Sequence, residues 1–135
     1  MRHESADAGN AFSRALAIQR EAASQGFDWP EIAGVLDKVR EELDELIEAL
    51  RQGDRVHARD EFGDLLFTVL NLSRFMDVDT EEELDRTTTR FVSRYTRLKS
   101  ILSEGGETVD QVGLDYLNHV WKEVKRGEFE KQKKA

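Results

Sequence analysis

The sequence predicts an all-α fold, a helical bundle of about five helices. Apolar residues recur every three to four positions along most of the chain, which is the spacing that gives a helix one apolar face. No segment shows the alternation of apolar and polar residues that marks a half-buried strand. The chain of 135 residues contains a single proline, so little interrupts long helices.

The first two helices are expected over residues 10–24 and 31–51. Asn10 can cap the first helix, and Gly26 can close its end. Pro30 can begin the second helix, because its fixed φ suits the first turn and its missing N–H costs nothing there.

A short connection separates the second helix from a third, expected over residues 55–76. Gly53 suits the end of one helix, and Asp54 can cap the next. So short a connection brings the two helices back antiparallel. Two further helices are expected over residues 80–103 and 108–124.

One domain is expected over residues 10–127, with flexible termini at 1–9 and 128–135. The chain has 28 acidic residues against 20 Lys and Arg, a net charge of −8, which disfavours binding to nucleic acid. It has no cysteine and no apolar run long enough to cross a membrane, so neither disulfides nor a membrane partner are expected. This composition is compatible with the cytoplasm, which is the location we expect.

Two acidic pairs lie on the second and third helices. Glu42 and Glu45 stand three residues apart on the second helix, and Glu61 and Asp64 do so on the third. Residues at that spacing share a helix face, and antiparallel packing lets the two pairs face each other. Carboxylate oxygens are the ligands that hard divalent cations prefer. We therefore predict that these four residues bind a metal ion.

The helical period predicts that neighbouring carboxylates of the second helix point in different directions. At about 100° per residue, Glu41 points away from the apolar stripe of the second helix, whereas Glu42 borders it. This favours Glu42 over Glu41 as a ligand. The alternative is a solvated face with salt bridges to Lys or Arg, which we prefer for Glu41, Asp44 and Glu48.

The order of these motifs resembles the MazG-like nucleotide pyrophosphohydrolases. The signature of that family is Glu-Glu-x-x-Glu followed after a spacer by Glu-x-x-Asp, here residues 41–45 and 61–64. Other segments also resemble the family in order: residues 26–30, residues 71–74, residues 86–91 with Arg94, and Trp121. The resemblance covers roughly residues 10–126.

The resemblance implies an enzyme that hydrolyses a nucleoside or deoxynucleoside triphosphate between its α and β phosphates. It implies Mg²⁺ as the cofactor, with Mn²⁺ as a substitute, and it is compatible with house-cleaning of aberrant nucleotides. It also implies a homodimer or homotetramer whose second subunit completes the core. The third helix supports this independently, because its apolar residues lie almost all round it and a small monomer cannot easily cover them.

Three basic residues are candidates for binding the phosphates of the substrate. Arg90 and Arg94 lie one turn apart on the fourth helix and match positions that the family uses for phosphate contact. The family often has Asn-x-Lys where this chain has Thr88-x-Arg90. Arg keeps the charge of Lys but not its shape, so the contact with phosphate need not have the geometry it has in the family. Lys38, one turn before Glu42, is expected to help neutralise the phosphates.

Three more residues are candidates for the rest of the substrate site. Trp29 either plugs the edge of the core or helps to wall a base pocket. Asn71 and Arg74 belong to the family's second motif helix.

A carboxylate left partly free, Glu41 or Glu45, is the candidate general base, and the sequence does not choose between them.

The same residues bear on two other classes of function. A carboxylate-bridged di-iron protein needs Glu-x-x-His pairs, and no Glu of this chain is followed three residues later by His. A non-catalytic helical interaction module stays open, as does a dUTP-specific or otherwise nucleotide-specific relative. His57 is expected to be a surface or structural residue.

Overall fold

The structure, a computed structural model, describes the backbone of residues 10–134 and the side chains of residues 10–128. Within that range the chain forms five α-helices and one short 3-10 helix, and no strand occurs in these residues. The all-α prediction is confirmed. Residues 1–9, expected to be a flexible terminus, lie outside the described residues.

The helices follow one another with short connections. They are α1 (Ala11–Ser24), α2 (Ile32–Arg51), α3 (Arg55–Met76), α4 (Thr80–Glu104), the 3-10 helix (Val109–Gln111) and α5 (Leu114–Lys134).

Two of the predicted N-caps are confirmed. The Asn10 side chain accepts a hydrogen bond from the Ser13 N–H at 2.9 Å, and Asp54 accepts one from the His57 N–H at 3.0 Å. Each bond satisfies a backbone donor that the helix itself leaves unpaired. Gly53 takes the left-handed conformation, with φ of 71°, at the break between α2 and α3.

Two predicted helix starts are wrong by a few residues. Pro30 does not open α2, because Glu31 is the N-cap and Ile32 the first helical residue. Thr108 forms a capping box with Gln111, but this box closes only the 3-10 turn. The extended backbone of Val112 then ends that turn, so α5 begins at Leu114 and continues to Lys134.

The chain divides into two compact units, one up to Glu83 and one from Leu84. In the first unit α2 and α3 form an antiparallel hairpin, and α1 packs against α3. In the second unit α4 and α5 share a core of Leu98, Leu102, Val120 and Val124.

Large apolar side chains of the hairpin remain exposed in the single chain. Leu50 on α2 is 61% exposed and Phe62 on α3 is 58% exposed. We call these residues the exposed stripes, because they recur at helical spacing on each helix: Leu36, Leu43, Ile47 and Leu50 on α2, and Phe62, Leu66, Val69 and Met76 on α3. Val35 and Leu70 belong to the same apolar pattern and are buried within the first unit, whereas the exposed stripes are not.

None of the described helices has the length and apolar character needed to cross a membrane.

Candidate functional site

The acidic pairs of α2 and α3 meet across the hairpin. Carboxylate oxygens of Glu42, Glu61 and Asp64 lie within 4.8 Å of one another, and oxygens of Glu41, Glu42 and Glu45 form a second group of the same size. Glu42 belongs to both groups. The four residues expected as ligands therefore lie together around Glu42, as their spacing and the antiparallel connection indicated.

Burial distinguishes two members of this cluster from the others. Glu42 is 6% exposed and Glu61 is 9% exposed, whereas Glu45 and Asp64 are open to solvent. The Oε1 atoms of Glu42 and Glu61 are buried, and neither has a hydrogen-bond partner among the described residues. A buried carboxylate oxygen without a partner is costly, and a divalent cation bound by all-oxygen ligands would remove that cost. The donor set therefore fits a hard divalent cation.

Two basic side chains compensate part of the negative charge. Lys38 Nζ lies 3.0 Å from Glu41 Oε2 and 3.1 Å from Glu42 Oε2, and these two partners raise the pKa of the Lys38 ammonium. His57 Nε2 lies 3.1 Å from Glu61 Oε2. His57, expected to be a surface or structural residue, is thus half open to solvent and contacts the acidic cluster.

The pKa of Glu61 is raised above its ordinary value. Removal of the carboxyl from water is the main cause, followed by the neighbouring carboxyl groups of Glu45 and Glu42, while His57 acts in the opposite direction. Carboxylates that share a small site disfavour each other's charged forms. The cluster is consequently a place where either protons or a cation reduce repulsion.

A pocket lies toward the other end of the hairpin. Its volume is about 460 Å³, and Asn71 on its wall follows Asp64 by seven residues, about 10 Å along the helix axis. The lining is mostly apolar and aromatic, with a few polar side chains: Ile18, Gln19, Ala22, Phe27, Asp28, Trp29, Phe67, Asn71 and Arg74.

Arg74 fixes the loop before α2 to the end of α3. Arg74 Nη2 donates to Asp28 Oδ1 at 2.7 Å, and Arg74 Nε donates to Asn71 Oδ1 at 2.9 Å. The hydrogen bond from Arg74 lowers the pKa of the Asp28 carboxyl. The predicted substrate residues Asn71 and Arg74 therefore lie in the pocket wall and are bonded to each other.

Trp29 lies against the backbone of α2. A Cβ atom added at Gly34 would come within 2.8 Å of Trp29 Cε3, so the absence of a side chain at Gly34 gives the indole its place. Trp29 is 40% exposed and lines the pocket. It thus covers part of α2 and lines the pocket, and its role in holding a base stays a prediction.

Gln19 is a pocket residue that the sequence analysis missed. Its Nε2 donates to the Phe67 carbonyl at 2.9 Å, while its Oε1 is buried without a hydrogen-bond partner in the described part of the chain. Helical spacing could have identified it, since Gln19 lies one turn after Leu16 and one turn before Ala23, which are both partly buried.

The predicted phosphate-binding arginines lie on α4 in the second unit. Arg94 Nε donates to Glu128 Oε1 at 2.9 Å. Arg90 contacts the Thr87 hydroxyl at 3.3 Å and lines a surface cleft that Glu128 also borders. The arginines thus already have partners within their own unit.

Known proteins resemble this chain over most of its length. The nucleoside triphosphate pyrophosphohydrolase/pyrophosphatase MazG of Thermotoga maritima is 39% identical over 118 residues, which are 87% of this chain and 45% of the relative. The nucleoside triphosphate pyrophosphohydrolase of Escherichia coli K12 is 36% identical over 122 residues, which are 89% of this chain and 46% of the relative. The chain thus spans about half the length of these curated relatives.

A family model accounts for the part of the chain that carries the acidic pairs. The model for the MazG nucleotide pyrophosphohydrolase domain matches residues 31–98, half of the chain. The match includes all of α2 and α3, and therefore both helices that supply the buried carboxylates. By this match, and by the similarity to its relatives, the chain belongs to the MazG nucleotide pyrophosphohydrolase family.

Proposed function

We propose that this domain hydrolyses nucleoside or deoxynucleoside triphosphates between the α and β phosphates, giving a nucleoside monophosphate and pyrophosphate. Family membership supports the reaction class, and both relatives are named for pyrophosphohydrolase activity on nucleoside triphosphates. The observation that carries the proposal is a pair of buried carboxylate oxygens in one cluster, those of Glu42 and Glu61, which have no hydrogen-bond partner in the described part of the chain.

The cofactor we propose is Mg²⁺, with Mn²⁺ as a substitute, held by Glu42, Glu45, Glu61 and Asp64. When bound there, such a cation supplies positive charge to the phosphates and acidity to water. A charge of −8 on the chain repels a polyanion at long range. Lys38, which lies beside Glu42, adds positive charge at the same place.

Glu41 and Glu45 remain the two candidates for the general base. Glu41 is exposed and paired with Lys38 at 3.0 Å, so a phosphate that attracts Lys38 would free the Glu41 carboxylate. Glu45 is exposed and its carboxylate lies beside Glu41 and Glu42, so it can serve either as a ligand or as a base. Loss of kcat in Glu41→Gln with intact metal affinity would assign the role to Glu41, whereas loss of both in Glu45→Gln would make Glu45 chiefly a ligand.

The pocket at Trp29, Asn71 and Arg74 is the proposed site for the nucleoside. Its lining offers aromatic faces for a base, and its distance from Asp64 along α3 suits a nucleotide whose phosphates reach the acidic cluster. Arg74 holds the wall through Asp28, and Asn71 presents its amide nitrogen because its oxygen accepts from Arg74. Arg90 and Arg94 are proposed to contact the phosphates, for which Arg94 must leave Glu128.

The proposed assembly is a homodimer or homotetramer in the cytoplasm, without a nucleic-acid or membrane partner. The exposed stripes support the assembly. So many exposed apolar side chains on one hairpin are typical of a surface that binds another protein surface. House-cleaning of aberrant nucleotides is the proposed role, and specificity for one nucleotide such as dUTP is the alternative.

Pyrophosphate release from a panel of canonical and damaged triphosphates tests the proposal. We expect release that requires Mg²⁺ or Mn²⁺ and stops when the cation is chelated. A fold that serves only as an interaction module would release no pyrophosphate from any member of the panel, which would refute the proposed reaction.

A further inference from the structure

Gln19 holds a defined orientation at the wall of the pocket. The donor end of its amide bonds to the Phe67 carbonyl at 2.9 Å, so the oxygen must take the other side. That carbonyl belongs to α3 while Gln19 belongs to α1, and the bond therefore fixes the amide between two helices.

The Oε1 atom of Gln19 needs a hydrogen-bond donor that the described chain does not provide. Only 7% of Gln19 is exposed, and its Oε1 has no hydrogen-bond partner among the described residues. Leaving a buried acceptor unpaired costs free energy. Gln19 lines the pocket with Phe67 and Trp29, so a molecule bound there is a source of the missing donor.

The neighbouring polar groups narrow the chemistry of that molecule. Asn71 Oδ1 accepts from Arg74, which leaves the Asn71 amide nitrogen as a donor. The pocket therefore combines an acceptor on Gln19 with a donor on Asn71, between aromatic side chains. A planar base that carries an N–H group beside a ring nitrogen or carbonyl oxygen matches this combination.

We infer that Gln19 is a specificity-determining residue, whose Oε1 accepts a hydrogen bond from an N–H group on the edge of the bound nucleobase. This inference rests on the proposed function, because it assumes that the pocket holds the base of the substrate. A pocket with a buried acceptor rejects an analogue that lacks the donor, because the acceptor is then left unpaired. Gln19 thus selects bases that carry an N–H on that edge.

The test uses bases stripped of every N–H group. Purine riboside 5′-triphosphate serves as the stripped form of ATP and GTP, and 2-pyrimidinone riboside 5′-triphosphate as that of CTP and UTP. For the best canonical purine and pyrimidine, kcat/KM for pyrophosphate release is compared with that of the stripped analogue. We expect the wild-type chain to favour the canonical base by about tenfold or more.

The matched variant is Gln19→Leu, which keeps the size of the side chain and removes the amide. Its canonical-to-stripped ratio should fall to within about threefold, chiefly through KM for the canonical base. Its thermal midpoint without nucleotide should not fall, because the change removes an unpaired acceptor together with one hydrogen bond.

Each outcome decides the inference. A wild-type ratio near one, or a ratio that Gln19→Leu leaves unchanged, would overturn it while the proposed hydrolysis stands. A lower thermal midpoint with equal losses on both triphosphates would make Gln19 only a brace between α1 and α3. Absence of pyrophosphate release from all four canonical triphosphates would refute the proposed function, and the inference with it.

Discussion

Glu42 on α2 and Glu61 on α3 place carboxylate oxygens within 4.8 Å of each other, and each carries a buried oxygen without a partner among the described residues. Helix packing forces this proximity, because both residues lie on the side of the helix that faces the hairpin partner. A protein gains no stability from two carboxylates in that position. Lys38 and His57 offset part of this repulsion, and a bound cation would offset more of it.

Glu42→Gln is predicted to abolish turnover while the helical content of the chain remains near that of the wild type. The substitution removes one ligand charge from the cluster and keeps the shape of the side chain. Without metal the thermal midpoint should stay the same or rise, because one of the repelling carboxylates is gone. Activity, circular dichroism and calorimetric titration with Mg²⁺ measure these effects.

Asp64→Asn should behave in the same way, and Asp44→Asn is the control. Asp44 is exposed on α2 and belongs to neither group of clustered carboxylates. Full activity of Glu42→Gln and Asp64→Asn at ordinary Mg²⁺ would refute the metal assignment. A loss in Asp44→Asn as large as theirs would attribute the effect to total charge.

The Asp28 carboxyl is predicted to titrate below its ordinary pKa of 3.8, because the Arg74 guanidinium donates to it. A carboxyl whose pKa is lowered on folding contributes stability above the unfolded value and loses that contribution as the pH falls through the folded value. The contribution should therefore disappear below about pH 3.8. Carboxyl chemical shifts followed by NMR measure the titration.

Arg74→Gln is the variant that isolates this ion pair. It removes the charge from the end of α3, so the pKa of Asp28 should rise toward its ordinary value. The loop that carries Trp29 should also become more mobile, since Arg74 links it to α3. An unchanged Asp28 titration in the variant would contradict the ion pair.

Gly34→Ala is predicted to displace Trp29 and to raise KM with little change in kcat. The new methyl group would stand 2.8 Å from the indole ring, which is closer than carbon atoms approach, so the ring must move. Gly127→Ala is the control, because it also lies within a helix and its Cβ meets no atom of the described residues within 4 Å. Helix propensity alone favours both changes by up to about 1 kcal/mol, so the difference between them reports the contact with Trp29.

The helical organisation could be predicted because its determinants are local. Asn10 and Asp54 cap helices through contacts three residues away, and the period of apolar residues identifies the helices between them. The start of α5 was missed because Thr108 and Gln111 satisfy each other within a single 3-10 turn. A capping box signals a helical turn but not how far the helix continues.

The acidic cluster could also be predicted, since the spacing of three and the short α2–α3 connection bring its members together. The pocket could not, because its contacts join residues far apart in the chain. Arg74 bonds to Asp28 across 46 positions, and Gln19 bonds to Phe67 across 48. No periodic pattern encodes these pairs. The bond between Arg74 and Asn71 is the exception, because these residues lie three apart on α3 and helical spacing allows it.

The apolar pattern of the hairpin predicted covered surfaces, and the all-round apolar character of the third helix predicted that a second subunit helps to cover them. A stripe indicates that a surface is covered, but it does not state whether the same chain or another covers it. In the single chain Leu50 and Phe62 remain more than half exposed.

Sedimentation is predicted to show a dimer or larger species at micromolar concentration. Leu43→Glu places a charge in the exposed stripe of α2 and should shift the protein toward monomer, because a charge buried at an apolar interface is costly. Val92→Glu, at an exposed position of α4 outside the stripes, is the control. A stable and active wild-type monomer would show that the stripes need no partner.

Arg90→Ala and Arg94→Ala are predicted to lower kcat/KM by about tenfold or more, since a hydrogen bond to a charged group contributes about 1.5–3 kcal/mol. Metal affinity without nucleotide should remain nearly unchanged, because an arginine cannot be a metal ligand. Arg94 now pairs with Glu128 at 2.9 Å, and a phosphate must compete with that carboxylate. Glu128→Gln should therefore lower KM, an effect that requires Arg94 and should vanish in the double variant with Arg94→Ala.

Arg97→Ala is the control for these arginines, because it removes a charge of the same sign from the same helix. It should change kcat/KM by less than about threefold, as expected for an exposed charge with modest electrostatic influence. Equal losses of kcat/KM in all three alanine variants would mean that these arginines of α4 act on the substrate only through their net positive charge. Glu128→Gln would then lower KM whether or not Arg94 is present, because it too changes only the net charge.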